Sequence, residues 1–267
     1  MRIFGTPFRI RFLFRTIKDW ITCAFMSEYP EHFDAQFIFV YFSYKPDYEY
    51  LYLSLQSLVE NIEDDKIREV FLFEDQKACF AESQINELQM LCPKLVIKPV
   101  ENFSWASVES SYAEIQCFLQ ASNNASDKDM IVKVDSDILF LQSTKMVRLL
   151  RSKYLAFGDG HWSRYRYAQG GLYMFRSKIL TSVLGHLGVQ DIVKAVHEVG
   201  SEGEDRVISY LLKKYNCAFQ YTRMMLFPSE YRDVIKLNQF NKWDFCAVHF
   251  VKEKEKMKKY KMIFEKS

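Results

Sequence analysis

A chain of 267 residues that is 49% hydrophobic and 16% aromatic holds ample material for a packed core, which excludes wholesale disorder. Its six cysteines are scattered without a CxxC pair, so no zinc or disulfide framework is encoded and a reducing compartment is the natural setting. The net charge of +2 hides a polarised layout: Arg2, Arg9, Arg11, Arg15 and Lys18 stand without an acid at the N-terminus, residues 252–267 hold seven lysines against three glutamates, and the body between is acidic, which disfavours nucleic acid as a partner.

Residues 1–35 form a basic arm. In "FRIRFLFRTIKDWITCAF" the charges interrupt every apolar window, so the segment is neither a secretory signal nor a membrane span. At helical period Ile10, Leu13, Phe14, Ile17, Trp20, Ile21 and Ala24 share one face, and Arg11, Arg15, Lys18 and Thr22 the other. Two readings fit this pattern equally. One is an interfacial helix on an anionic membrane surface; the other is a helix packed on the domain itself or on a partner. The first predicts a cytoplasmic protein peripheral to the membrane.

The body, residues 36–252, alternates strands and helices. "QFIFVYFS" reads as a strand and is followed by a helix with Leu51, Leu55, Leu58 and Ile62 on one face. "REVFLFED" is the second strand, a helix through Ile85, Leu88 and Leu91 stops at Pro93, and "KLVIKPV" is the third strand. Ser111 and Glu114 have capping-box spacing for the next helix, and "MIVKVDSDILFLQ" is the fourth strand. This order predicts a single α/β domain with a mostly parallel central sheet flanked by helices, and a ligand site beyond the carboxyl ends of its strands. No GxGxxG fingerprint supports a nicotinamide site. Residues 253–267 are predicted to be a basic C-terminal tail.

The fourth strand carries Asp135 and Asp137, two apart and thus on one side of an extended segment. Unpaired, neighbouring carboxylates repel; a bound Mn²⁺ or Mg²⁺ removes that conflict and prefers such oxygens together with phosphates. The alternative is a polar strand end that caps a helix or pairs with Lys133 or Arg151.

An apolar strand ending in Asp135-Ser136-Asp137 resembles the Asp-x-Asp signature of nucleotide-sugar glycosyltransferases with the GT-A (Rossmann-like) fold. Three further segments follow in that family's order. "AQGGLYMFRSKIL" is similar to its turn and strand beside the acceptor pocket, with Gly170 and Gly171 at the turn. "SEGEDRVISYLLKKY" is similar to its acidic helix opening, where Asp205, with Glu204 beside it, would take the proton of an acceptor hydroxyl. "CAVHFVKEK" reaches His249, which by resemblance completes the metal site with Asp135 and Asp137, and Lys252 or Lys254 would approach the diphosphate.

The resemblance covers residues 36–252. It implies metal-dependent transfer of a sugar from a UDP-sugar or similar donor to a hydroxyl of a glycan or lipid-linked glycan, with inversion if Asp205 is the base. Position in such a fold makes Tyr41 and Phe42 candidate stacking surfaces, Asp75 a candidate partner of the base, and Asp135 and Ser136 further donor contacts. Trp162, in an aromatic loop, is a candidate acceptor platform. Alternatives are a retaining transferase of the same fold, a nucleotidyltransferase, which lacks its Gly-rich basic loop here, and a non-catalytic membrane-bound scaffold.

Overall fold

The computed structural model describes residues 21, 26–101, 107–162, 166–226, 245–249 and 253–265. The amphipathic face of the N-terminal arm, Ile21 apart, lies outside the described residues. No single helix among the described residues is long and apolar enough to cross a membrane.

Strands β1 (Phe37–Ser43), β2 (Ile67–Asp75), β3 (Leu95–Val100) and β4 (Met130–Asp135) run parallel, connected through helices α1 (Tyr48–Asn61), α2 (Glu82–Leu91) and α3 (Val108–Ala121). The chain then reverses: β7 (Arg166–Arg176) pairs antiparallel with β4, β6 (Ala156–Trp162) antiparallel with β7, and β8 (Gln220–Tyr221) parallel with β6. The seven strands lie in the order β3-β2-β1-β4-β7-β6-β8.

Period-two alternation explains why the central strands read as unbroken apolar runs. Phe37, Phe39 and Tyr41 of β1 pack with Leu51, Leu55 and Leu58 of α1 on one face, while Ile38 and Val40 pack with Ile115 and Phe118 of α3 on the other. Both faces are covered, as parallel sheets require. Helix α4 (Thr144–Leu150) joins the α1 layer, and α5 (Lys178–Ser182), α6 (Val189–Val199) and α7 (Glu204–Lys214) join the α3 layer. Each large side chain so buried contributes roughly 1.5–3 kcal/mol.

Three local expectations are corrected. Helix α3 begins earlier than the Ser111 and Glu114 spacing suggests: Ser107 is its cap, accepting the Ser110 amide at 3.0 Å while Ser110 Oγ accepts the Ser107 amide at 2.9 Å. Ser111 and Glu114 lie inside the helix, both buried. The run "MIVKVDSDILFLQ" is two strands rather than one, because the chain turns at Ser136-Asp137 and β5 (Ile138–Phe140) enters a second sheet of order β5-β10-β9 with β9 (Met225–Leu226) and β10 (Ala247–His249). The basic segment after residue 252 is a helix, α8 (Lys254–Glu265), docked by Met257 and Tyr260 against Tyr50, Leu139 and Val248.

At the far end of β7, Arg176 is buried and donates to the carbonyls of Lys128, Leu150 and Ser152, joining the loop before β4 to the connection between α4 and β6. Replacement by leucine strands these acceptors away from water. Arg176→Leu is expected to cost about 3 kcal/mol, read as a lower urea midpoint at unchanged m-value.

Candidate active site

Strand β4 sends alternate side chains to opposite layers. Met130, Val132 and Val134 enter the α1 layer; Ile131 enters the α3 layer, and Lys133 and Asp135 share its parity. Lys133, with a side chain 5% exposed, therefore stands beneath the carboxyl end of the sheet, between Val40 of β1 and Tyr173 of β7. Its ammonium pairs with Asp135 Oδ1, donates to the Gly170 carbonyl and lies 3.9 Å from Glu204 Oε1. Burial alone would lower its pKa, but Asp135, Glu204 and Glu114 raise it above the ordinary lysine value, so it stays charged.

Asp137 sits in the turn after β4, and the small sheet brings His249 to it. β10 runs antiparallel to β5 with His249 opposite Ile138, the residue after Asp137. His249 Nε2 is 3.2 Å from Asp137 Oδ1 and 4.0 Å from Asp135 Oδ2, and one ligand atom from each of the three residues lies within 4.8 Å of the others. Burial alone would lower the His249 pKa, but the hydrogen bond and charge of Asp137, with Asp135, raise it. Two carboxylates and an imidazole form a hard oxygen and nitrogen donor set that suits a divalent cation such as Mn²⁺ or Mg²⁺.

The Gly170-Gly171 segment of β7 fits closely against this group. The Gly171 amide donates to Gln169 Oε1 at 2.7 Å, and Gln169 Nε2 lies 3.5 Å from His249 Nδ1. A Cβ on Gly171 would come within 2.9 Å of both Gln169 Oε1 and His249 Nδ1, so any side chain here would displace the amide and the imidazole from their present places.

Opposite, α6 ends in Gly200, whose left-handed φ of 65° turns the chain toward α7. Helix α7 opens with Glu204 and Asp205, where the helix dipole favours acids. Burial, and next the charge of Glu204, push the Asp205 carboxyl up to about 6. Glu114 of α3, which accepts the Tyr173 hydroxyl at 2.9 Å, is pushed by burial, and next by Glu204, up to about 8.

One cleft of about 600 Å³ brings together Asp135, Ser136, Asp137 and His249 with Gly170, Gly171, Glu204 and Asp205. Phe42 also lines it, its ring stacked on Phe73 at 5.6 Å. Ser136 Oγ is 3.4 Å from Asp47 Oδ2. Tyr41 does not reach the cleft: its parity turns it into the α1 layer, fully buried, with its hydroxyl 3.1 Å from Ser54 Oγ. Asp75 is likewise not among the lining residues; its Oδ1 accepts the Lys77 amide at 2.9 Å, and the places beside β1 are taken by Tyr44 and Asp47. Lys252 and the Trp162 side chain lie outside the described residues. Lys133, Gln169 and Glu114 were not singled out as site residues from sequence. Only Lys133 carried a signal, a cation at the parity of Asp135 and Asp137 inside an apolar strand.

No family model and no curated protein matches the sequence. Solved structures do share the fold. The galactosyltransferase LgtC, in complex with donor and acceptor sugar analogues, superposes with a TM-score of 0.58 at 11% identity over 86% of this chain and 95% of that one. The glycosyltransferase GlyE of Streptococcus pneumoniae gives 0.54 at 10% identity, over 87% of this chain and 63% of that one. Mouse xyloside xylosyltransferase 1 gives 0.51 at 8% identity, over 81% and 97%. The chain has the GT-A fold.

Removing one ligand tests the three-residue group. Mn²⁺ at about 100 times its Kd is expected to stabilise the native protein by about 2.7 kcal/mol, a rise of a few degrees in Tm. In Asp137→Ala that rise is expected to vanish while Tm in chelator stays within a few degrees; an unchanged Mn²⁺ response would remove Asp137 from the group.

Proposed function

We propose, from the GT-A fold and the joint placement of Asp135, Asp137, His249 and the Glu204-Asp205 helix opening in one cleft, that the protein is a metal-dependent glycosyltransferase. It moves a sugar from a nucleoside-diphosphate donor, with UDP-sugars the first to test, to a hydroxyl of a glycan or lipid-linked glycan. The observation that supports this reading is the cleft, where three side chains that could hold a cation and a carboxylate of raised pKa come together. The complex of LgtC with donor and acceptor sugar analogues supports sugar transfer as the chemistry of this fold.

Asp135, Asp137 and His249 would hold a divalent cation, which when bound would supply positive charge against the departing diphosphate. Lys133 fixes Asp135 by taking Oδ1 and secures the Gly170 carbonyl, so the floor of the cleft is rigid before substrate arrives. Gly170 and Gly171, without side chains, let Glu204, Asp205 and the His249 imidazole pack directly against the β7 backbone. Asp205 accepts the proton of the acceptor hydroxyl as its oxygen bonds to the anomeric carbon; the bond from that carbon to the diphosphate oxygen breaks, and the nucleoside diphosphate leaves. This displacement inverts the anomeric configuration.

A base must be ionised to act. Since the Asp205 carboxyl titrates near 6, activity is expected to fall about tenfold per unit as pH drops below that value, and to be flat just above it. Asp205→Asn is expected to lower kcat by about 100- to 10,000-fold while donor affinity holds. A product of retained configuration, determined by NMR, would remove Asp205 as base.

The basic amphipathic arm is read as the contact with an anionic membrane at the cytoplasmic face. Deleting residues 1–24 is expected to abolish cosedimentation with anionic vesicles without loss of transfer to a soluble acceptor. Undiminished cosedimentation would refute the membrane role.

A further inference from the structure

The cleft extends past the Asp135, Asp137 and His249 group to a wall made by α3. Ser110, Ala113, Glu114 and Cys117 stand there at helical spacing, three small side chains around one acid. The small residues leave room for a ring-sized ligand, and Glu114 is the long polar side chain on that face. Although only 9% exposed, it lines the cleft. One oxygen accepts the Tyr173 hydroxyl, which fixes the carboxyl plane. The mechanism above gives Glu114 no task, yet a buried acid is costly unless it meets a partner.

We propose that Glu114 is the residue that reads the donor sugar, hydrogen-bonding a ring hydroxyl through the oxygen Tyr173 leaves, and that this end of the cleft takes an uncharged sugar and rejects a uronate. The proposal rests on the transferase reading. Charge supports the second part. Glu204, Asp205 and Asp135 face the same space; of the two Lys or Arg side chains lining it among the described residues, Lys133 is committed to Asp135 and to the Gly170 carbonyl, and Arg206 stacks over the Tyr167 ring, its Cζ 5.0 Å from the centroid. A sugar carboxylate would bring a further negative charge beside these three acids. Burial, which pushes Glu114 up to about 8, supports the first part: a largely protonated carboxyl both donates and accepts, as a glutamine does.

The test is calorimetric titration, with Mn²⁺, of UDP, UDP-glucose, UDP-galactose, UDP-glucuronate, GDP and GDP-mannose against the wild-type protein, Glu114→Gln and Glu114→Leu. The double variant Glu114→Leu with Tyr173→Phe removes both partners of the buried hydrogen bond and replaces the single variant if that one fails to fold. Leucine is expected to weaken the best uncharged nucleotide sugar by about 10- to 100-fold and leave its nucleoside diphosphate within about threefold, while glutamine preserves both. The uronate is expected to bind the wild-type protein about tenfold more weakly than UDP-glucose. Equal losses for diphosphate and nucleotide sugar would make Glu114 merely structural; no loss for either, or a uronate bound as tightly as glucose, would overturn the proposal. If no nucleoside diphosphate binds the wild-type protein, the transferase reading itself fails.

Discussion

Everything at the carboxyl end of the sheet is arranged around one buried ammonium. Lys133 sits in the middle of an apolar strand where an isolated charge would cost several kcal/mol, and it is tolerated because Asp135, the Gly170 carbonyl and Glu204 surround it. Those three partners come from β4, β7 and α7. A single cation thus sets the spacing of three elements and turns Asp135 so that its second oxygen faces His249. The price of such an arrangement is intolerance: loss of the cation leaves carboxylates facing one another, and loss of a carboxylate leaves the cation half paired.

Much of the fold was legible because β1 to β4 are buried on both faces and therefore spell continuous apolar runs separated by helical periodicity. The capping of α3 was not legible. Ser107 with Ser110 and Ser111 with Glu114 both offer polar side chains at the spacing of a cap, and only the tertiary contact of Glu114 with Tyr173 decides that the latter pair is interior. Nor could the sequence reveal that the fourth apolar run serves two sheets, since Ile138 to Phe140 are as apolar as the strand before them and their partners in β10 lie far along the chain.

Among the candidate residues, Asp135, Asp137, Gly170, Gly171, Glu204, Asp205 and His249 line one cleft. Tyr41 and Phe42 could have been separated by strand parity alone: Phe42 is opposite Asp135 across the sheet and faces the cleft, so its neighbour must face the core. Asp75 illustrates a different limit. A strand end marks the rim of a site, but which rim residues reach the cavity depends on how the following loop folds back, and here Asp75 turns to the amide of Lys77.

The two sheets meet at the group of Asp135, Asp137 and His249, with Asp135 ending β4 of the large sheet and His249 ending β10 of the small one. β9, which pairs with β10, is itself held by Asp159 of β6 through the amides of Met224 and Met225, at 2.9 Å and 2.7 Å. The group is consequently a closure rather than a local motif. During synthesis the parallel strands emerge and can pair before Ala247–His249 leaves the ribosome, so Asp135 and Asp137 are in place before His249 can join them. An ion bound by Asp135, Asp137 and His249 would tie the end of β4 to β10, a strand far along the chain.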